Sequence, residues 1–494
     1  MSSPASLAPP QPRRDLDRSL IHGLAWTGAV RWGAQILSWA STLVVARLLA
    51  PSDYGVVGMA TIYTGFLALV NEFGLGLAIV QGRNLDTDQI ARLGGFAVLV
   101  GAAFVTLSAA LAGPVAAFFG EPAVRWIVVI SSLAFLLTAT QLVPRALLRR
   151  DLDFRRLAWA DGAEAVVTTV STLGFAVLGL RYWALVLGSL AGRATSTIVA
   201  CASRPHRVAW PNRFATIAPT VTFGWHVVVA SVAWYVYDNA DFTVVGRVLG
   251  KAALGTYTVG WTIASIPVDR VTALVGSVTP AVFSAVQDDR PALQRYLRNL
   301  TEGLALITFP AAVGLAVVAD EFVVVALGER WGAAVLPLRL LALSAALRSV
   351  SALLPQVIVS TGRAKRNMQL TLVASAILPC LFYLGTHWGT AGVAAAWALG
   401  HPVFVMPLFL VSALRLTGLS AWQYLRSLWP AFGATAVMTA VVLSLRWVTP
   451  GAWPVGARLS AHVLGGVLAY AAILYLAHRS RVQALWAQFR ALRT

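Results

Sequence analysis

Repeated runs of about 20 predominantly apolar residues dominate this chain, and each run has the length that an α-helix needs to cross a bilayer. Only 12% of the 494 residues are charged and 58% are hydrophobic. Soluble globular proteins carry roughly 25% charged residues, and a soluble fold could not bury this much apolar surface. The sequence therefore predicts an all-α polytopic membrane protein, because helices satisfy their backbone hydrogen bonds within the lipid.

About fourteen apolar segments can be distinguished, since turn-forming sequences such as PSDYG, FFGEP and TGRAKRN separate them. The external loops are short, so we expect no soluble domain inserted between spans. The predicted spans lie near 21–46, 55–80, 93–117, 122–144, 157–180, 182–203, 219–246, 254–280, 299–319, 332–360, 367–386, 389–414, 424–446 and 458–478.

Basic residues are distributed unevenly among the predicted loops. With the N-terminus in the cytoplasm, about three times as many of the 38 Lys and Arg residues fall inside as outside. This asymmetry is typical of membrane insertion, and it explains the formal net charge of +18 without a nucleic-acid partner. With an even number of spans, we expect a multi-pass protein with both termini cytoplasmic.

A short motif occurs twice. VVARLLAPSDYG at 44–55 returns as VVGRVLGKAALG at 244–255, with identical residues at five of the twelve positions. Six predicted spans separate the copies, so the two halves share one orientation, as in a parallel repeat of two lobes. A chance match between Val- and Gly-rich helices is the alternative.

The predicted organisation is a disordered cytoplasmic tail at 1–19, an N-lobe at 20–203, a cytoplasmic linker at 204–218, a C-lobe at 219–414, two further helices at 415–478 and a basic amphipathic cytoplasmic tail at 479–494.

Ionisable residues inside the predicted spans are functional candidates, because a charge at mid-bilayer costs at least about 2.5 kcal/mol. Polar residues recur at helical spacing in the first span and include Arg31 and Gln35, so they share a face that should line water. The repeat offset places Asp238, which shares a face with Asp241, on the matching span of the second half. We expect Arg31 and Asp238 to contribute opposite charges to one lumen.

Five stretches of the chain carry a family resemblance: ARLLAPSDYGVVGMATI, NEFGLGLAIVQ, DNADFTVVGRVLGKAALGTYTVG, LGERWGAAVLPLRLLALSAALRSV and STGRAKRN. Together they resemble the Wzx-type lipopolysaccharide and exopolysaccharide flippases, in the polysaccharide-transporter branch of the multidrug/oligosaccharidyl-lipid/polysaccharide (MOP) superfamily. The resemblance implies about fourteen helices in two pseudo-symmetric six-helix lobes plus two C-terminal helices. It also implies a cationic cavity and transfer of polyprenyl-diphosphate-linked oligosaccharide to the outer leaflet.

Candidate site residues follow from charge, depth and this resemblance. Arginine suits phosphate oxygens because its forked donors stay charged. Arg193 lies beside small residues and Arg270 follows Asp269, so a structural ion pair is the alternative for each. The predicted substrate-binding residues are Arg31, Gln35, Arg193, Arg270 and Arg348, and the predicted ion-coupling or counter-charge residues are Asp238, Asp241 and Glu72.

The sequence thus predicts a flippase in the bacterial inner membrane, with a cation-coupled multidrug or small-molecule exporter of the same superfamily as the alternative. A membrane polymerase or glycosyltransferase is disfavoured, because no catalytic constellation, metal-ligand spacing or nucleotide-sugar motif is present. We expect no enzyme activity and no cofactor. Expected partners are the lipid-linked oligosaccharide and membrane lipids, an interaction with polysaccharide polymerase machinery is left open, and we expect a monomer.

Overall fold

The structure is a computed structural model that describes residues 33, 41–72, 75–81, 85–212, 232 and 234–477. Within these ranges the chain forms helices and turns and no β-strand. Ten helices of the described part are long and apolar enough to cross a membrane. The prediction of an all-α polytopic membrane protein is therefore confirmed, whereas the count of about fourteen spans stays a prediction.

The helices have the following bounds. Before residue 204 they are α1 (Pro51–Glu72), α2 (Leu75–Gln81), α3 (Thr87–Phe119), α4 (Ala123–Arg150), α5 (Phe154–Val177) and α6 (Tyr182–Ser203). After residue 249 they are α7 (Gly250–Ala285), α8 (Arg290–Val317), α9 (Ala319–Ala326), α10 (Val335–Ser351), α11 (Leu353–Ser360), α12 (Ala364–Gly385), α13 (Gly389–Ala395), α14 (Met406–Thr417), α15 (Ala421–Val448) and α16 (Val455–Ala477). Two π-helical turns, Val245–Leu249 and Ala396–Val405, lead into α7 and α14.

Two of the apolar helical stretches are too long to be single spans. Trp234–Ala285 has 52 residues and Ala364–Thr417 has 54, whereas about 20 residues cross a bilayer. Each contains a glycine with positive φ, Gly250 at 83° and Gly389 at 66°, where the chain leaves the right-handed helical conformation. Gly250 lies between two predicted spans and Gly389 is the first residue of a predicted span, so each long stretch is consistent with two crossings.

The described residues group into two compact units. The first comprises 41–48, 63–115 and 125–212. Its α5 and α6 pack closely because Gly188 and Gly192 of α6 leave room for the α5 side chains Thr172 and Thr168. The second unit comprises 49–62, 116–124, 232 and 234–477, and it contains the cavity described below.

The repeated motif forms a reciprocal contact within the second unit. A Cβ atom at Gly55 of α1 would collide with the carbonyl oxygen of Lys251, and a Cβ atom at Gly255 of α7 would collide with the carbonyl oxygen of Pro51. The two contacts are equivalent, because Gly55 corresponds to Gly255 and Pro51 corresponds to Lys251 at the 200-residue offset of the repeat. An approximate twofold axis between the copies would produce this reciprocity, so the observation favours a true repeat over a chance match.

An ion cluster ties α15 and α16 to the rest of the second unit. Asp320 of α9 pairs with Arg339 of α10 and, at 3.0 Å, with Arg446 of α15. Arg446 also lies 3.1 Å from Glu321, and His462 of α16 lies 3.5 Å from that same carboxylate. Since Glu321 is buried, its charge is stabilised only as long as these partners stay in place.

Candidate functional site

A cavity of about 280 Å³ lies among the helices of the second unit. Five chain regions carry its polar lining: the helical residues 234–244, α7, α10, α12 and the π-helical turn Ala396–Val405. The lining residues that bear charge, hydrogen-bonding groups or rings include Trp234, Tyr237, Asp238, Asp269, Arg348, Asn367, Thr371, Trp397 and His401. A concave apolar wall with a few convergent polar groups is typical of ligand-binding sites.

Helical spacing explains why these side chains converge. Trp234, Tyr237 and Asp238 are three and four residues apart, and Asn367 and Thr371 are one turn apart, so each set shares a helix face. The Ala396–Val405 turn contains a proline and widens to the π form, which brings Trp397 and the buried His401 to the cavity with ring centroids 5.6 Å apart. Such π-helical turns occur frequently at functional sites.

Arg348 of α10 is held between aromatic rings. Its Cζ atom lies 4.1 Å from the ring centroid of Trp261 and 5.3 Å from that of Trp397, within cation–π range. Among the described residues, no carboxylate forms an ion pair with it within 4.0 Å, and its buried Nε atom has no hydrogen-bond partner. The ring faces thus hold the guanidinium plane, while its edge keeps donors available for a ligand.

Two carboxylates face the same cavity as Arg348. Asp238 and Asp269 both line it, and Arg348 lies near enough to each to attract it electrostatically. The structure therefore brings together Asp238 and Arg348, which the sequence predicted separately, and places Asp269 in the same cavity lining. Arg270, the neighbour of Asp269, is exposed and does not contribute to the cavity wall.

Asp241 is arranged differently from Asp238. It is fully buried, and its Oδ2 atom accepts hydrogen bonds from the Tyr257 hydroxyl at 2.7 Å and from the Trp397 indole N–H at 2.8 Å. Its Oδ1 atom accepts the backbone N–H of Phe242 at 2.9 Å. Asp241 does not line the cavity. It instead fixes Trp397, which in turn contacts Arg348.

The other predicted site residues lie elsewhere. Arg193 of α6 forms an ion pair with Glu164 of α5 at 3.5 Å, within the first unit. Arg31 and Gln35 lie outside the described residues, as does the side chain of Glu72. The assignment of these four residues to a substrate or ion site stays a prediction.

Sequence reasoning missed the aromatic residues of this region. Tyr257 and Trp261 are one helical turn apart, as are Trp397 and His401, and all four lie within predicted spans. An aromatic pair at that spacing deep in a span, close to candidate charges, was the available signal. Tryptophans of membrane proteins usually lie at the membrane interfaces, so an aromatic residue alone does not indicate a site within a span.

Comparisons with known proteins agree with this architecture. The profile of a family described as polysaccharide biosynthesis protein matches residues 44–336. The chain is 23% identical to the lipopolysaccharide biosynthesis protein WzxC of Escherichia coli (strain K12), over 88% of this chain and 89% of that protein. It is also 23% identical to the teichuronic acid biosynthesis protein TuaB of Bacillus subtilis (strain 168), over 94% of this chain and 96% of that protein.

Solved structures share the fold at low sequence identity. The lipid II flippase MurJ in an inward closed conformation superposes with a TM-score of 0.76 at 14% identity, covering 93% of this chain and 100% of that one. An inward-facing multidrug resistance MATE transporter of the MOP superfamily superposes with a TM-score of 0.58 at 15% identity, covering 80% and 94%. These likenesses show that the chain shares the helical fold of these structures.

Proposed function

The chain belongs to the polysaccharide biosynthesis protein family, and from that premise we propose that it is a flippase. It carries a polyprenyl-diphosphate-linked oligosaccharide from the cytoplasmic to the outer leaflet of the bacterial inner membrane, for assembly of a surface polysaccharide. Transport proceeds by alternating access between an N-lobe at 20–203 and a C-lobe at 219–414. The helices at 415–478 lie outside the two lobes, and the tails at 1–19 and 479–494 are cytoplasmic.

The cavity that contains Arg348, Asp238 and Asp269 is the observation that carries this proposal. A lipid-linked oligosaccharide has an apolar chain that is soluble in the bilayer and a polar headgroup whose desolvation there is strongly unfavourable. A flippase must therefore offer the headgroup charged and hydrogen-bonding partners inside an otherwise apolar helical bundle. Arg348 and the two carboxylates, within helices long and apolar enough to span a membrane, have this character.

The names of the relatives support the substrate class. WzxC and TuaB are named for lipopolysaccharide and teichuronic acid biosynthesis, and MurJ is named as a flippase of lipid II. Two of these names concern the biosynthesis of bacterial surface polymers and the third names the flipping of a lipid. We therefore propose a transporter of a lipid-linked saccharide, with no enzymatic step and no cofactor. We further propose that it works as a monomer and hands its cargo to polysaccharide polymerase machinery outside.

A deletion strain tests the proposal. We expect the strain to accumulate polyprenyl-diphosphate-linked oligosaccharide in its lipid extract and to lose surface polymer, and we expect the wild-type gene to reverse both. Arg348→Ala should fail to reverse them at equal membrane expression, because it removes the free guanidinium edge. Arg366→Ala, an exposed arginine at the start of α12, is the matched control and should complement.

Two results would contradict the proposal. Normal levels of lipid-linked saccharide in the deletion strain would exclude a flippase for this substrate class. Increased sensitivity of the same strain to cationic dyes, with surface polymer intact, would instead favour a small-molecule exporter.

A further inference from the structure

The cavity of the second unit carries charges of both signs, and this limits what it can bind. Asp238 and Asp269 are negative acceptors, whereas Arg348 supplies only donors. A diphosphate is anionic and acceptor-only at neutral pH, so the two carboxylates repel it. Arg348 weakens the attraction that the two carboxylates would exert on a bare metal cation. A neutral ligand whose groups both donate and accept hydrogen bonds can use all three side chains, and a sugar hydroxyl is such a group.

The cavity also offers an accessible ring face beside these polar groups. Trp234 remains 55% exposed in the structure, and its ring lies 5.3 Å from that of Tyr237 at an interplanar angle of 33°. Both residues line the cavity next to Asp238. A flat apolar face flanked by hydrogen-bonding groups matches a pyranose ring, which has C–H groups on its faces and hydroxyls around its edge.

Three buried polar atoms in this lining have no hydrogen-bond partner among the described residues. They are the Nε atom of Arg348, the Oδ1 atom of Asn367 and the Nδ1 atom of His401. Buried polar atoms in folded proteins are nearly always paired, and each one left unpaired costs about 1–3 kcal/mol. A ligand with several hydroxyl groups would satisfy donors and acceptors at the same time.

We propose that this cavity is the sugar subsite of the carried headgroup. It takes one neutral hexose or N-acetylhexosamine ring, stacked on Trp234 and hydrogen-bonded by Asp238, Asp269, Arg348 and Asn367. The inference rests on the proposed flippase function and refines it, since it assigns Arg348 to sugar hydroxyls rather than to the diphosphate. The volume of about 280 Å³ suits a single ring and not a whole repeat unit.

Ligand-observed saturation-transfer NMR on the purified full-length protein in nanodiscs tests the proposal directly. The probes are methyl α-glucopyranoside and the methyl glycoside of N-acetylglucosamine, both uncharged, because the method detects weak ligands. We expect saturation transfer to at least one probe. Trp234→Ala should weaken the apparent affinity about two- to tenfold, as loss of one stacking partner would, and Arg348→Met should weaken it as well.

Controls and competitors decide between ligand classes. Trp429→Ala removes a 67% exposed tryptophan of α15 that does not line the cavity, and it should leave binding unchanged. Inorganic pyrophosphate should not displace the glycosides, and replacing sodium by choline should not alter their binding. Binding of pyrophosphate that depends on Arg348, or of sodium that depends on Asp238, with no saturation transfer to either glycoside, would overturn the proposal.

The proposed function and this subsite fail in different ways. If the deletion strain accumulates lipid-linked saccharide but the glycosides do not bind, the chain is a flippase whose cavity has another ligand. If the glycosides bind through Trp234 but the deletion strain has normal lipid-linked saccharide, the sugar site stands and the transport substrate is different.

Discussion

At the scale of single residues, Asp238 and Asp241 have the same predicted role in the sequence but different environments in the structure. They are three positions apart on one helix, so both were candidates for ion coupling. Asp238 faces the cavity, whereas Asp241 is enclosed by Tyr257, Trp397 and the Phe242 backbone. We interpret Asp241 as a positioning residue that holds the Trp397 ring against Arg348.

Substitutions at Asp241 distinguish positioning from ion coupling. Asp241→Val should lower the unfolding temperature and abolish complementation, because the Tyr257 hydroxyl and the Trp397 N–H lose their hydrogen-bond acceptor. Each buried donor left without a partner destabilises the folded protein by about 1–3 kcal/mol. Asp241→Asn should retain much of both properties, since its amide oxygen can still accept these hydrogen bonds. Complementation of the deletion strain and thermal unfolding in detergent measure the two effects. A stable Asp241→Asn protein that does not transport would instead indicate a charged coupling group.

His206, which lies outside the predicted spans, should make the stability of the fold depend on pH in a predictable direction. Its ring packs against Gly94 of α3, and burial lowers the pKa of the imidazole below its ordinary value. The unfolded chain, with a histidine pKa near about 6.5, therefore takes up the proton first as the pH falls. The contribution of neutral His206 to the free energy of unfolding is therefore complete above about pH 6.5. It is lost as the pH falls towards the lowered pKa of His206 in the folded protein.

We accordingly expect the unfolding temperature to fall between about pH 7.5 and pH 5.5, and to fall less in His206→Gln, which cannot titrate. Thermal unfolding followed by tryptophan fluorescence measures this difference. An equal decrease in both proteins would show that other groups account for the pH dependence. The exposed His387 provides a control, because His387→Gln should behave as the wild type does.

At the scale of helices, the contact between α1 and α7 depends on two glycines. Backbone carbonyls of the opposite copy occupy the space next to Gly55 and Gly255, and backbone cannot move aside as a flexible side chain can. Gly55→Ala and Gly255→Ala should each destabilise the protein by at least about 1–3 kcal/mol, the usual cost of overpacking. Unfolding temperatures of the purified variants measure this.

A third glycine provides a control, because its replacement by alanine should not destabilise the protein. Gly433 lies within α15 with no neighbour close to the position of a Cβ atom. Gly433→Ala should leave stability unchanged or raise it by up to about 1 kcal/mol, because alanine favours helix over glycine. If Gly55→Ala and Gly433→Ala behave alike, the close approach of α1 and α7 is not important for stability.

At the scale of the whole molecule, the charge distribution predicts how the chain crosses the membrane. The basic loops and the predicted even number of spans together predict that both termini are cytoplasmic. Green fluorescent protein fused after Thr494 should therefore fluoresce, and alkaline phosphatase fused at Gly451 should be active, because that turn lies between the last two predicted spans on the external side. Phosphatase fused at Arg366 should be inactive. Activity of a phosphatase fused after Thr494 would require an odd number of spans or the opposite orientation, and the fusions at Gly451 and Arg366 distinguish these two.

Much of this architecture follows from the sequence because its causes are local. Apolar runs of sufficient length must form helices in lipid, and turn residues mark their ends, so the all-α membrane fold and most span positions were predictable. The 200-residue repeat likewise identified Gly55 and Gly255 as equivalent before any contact was known. Charges inside spans identified Arg348 and Asp238 as candidates, because the cost of burying them does not depend on the details of packing.

The tertiary structure alone decided how these candidates are used. Whether a carboxylate faces a cavity or a tryptophan depends on helices distant in sequence, as Asp241 and Trp397, 156 positions apart, demonstrate. Periodicity along one helix reports which residues share a face, but it carries no information about which face of another helix lies opposite. The packed helices alone therefore determine that aromatic rings support Arg348, that Asp269 lines the same cavity as Arg348, and that Arg193 pairs with Glu164.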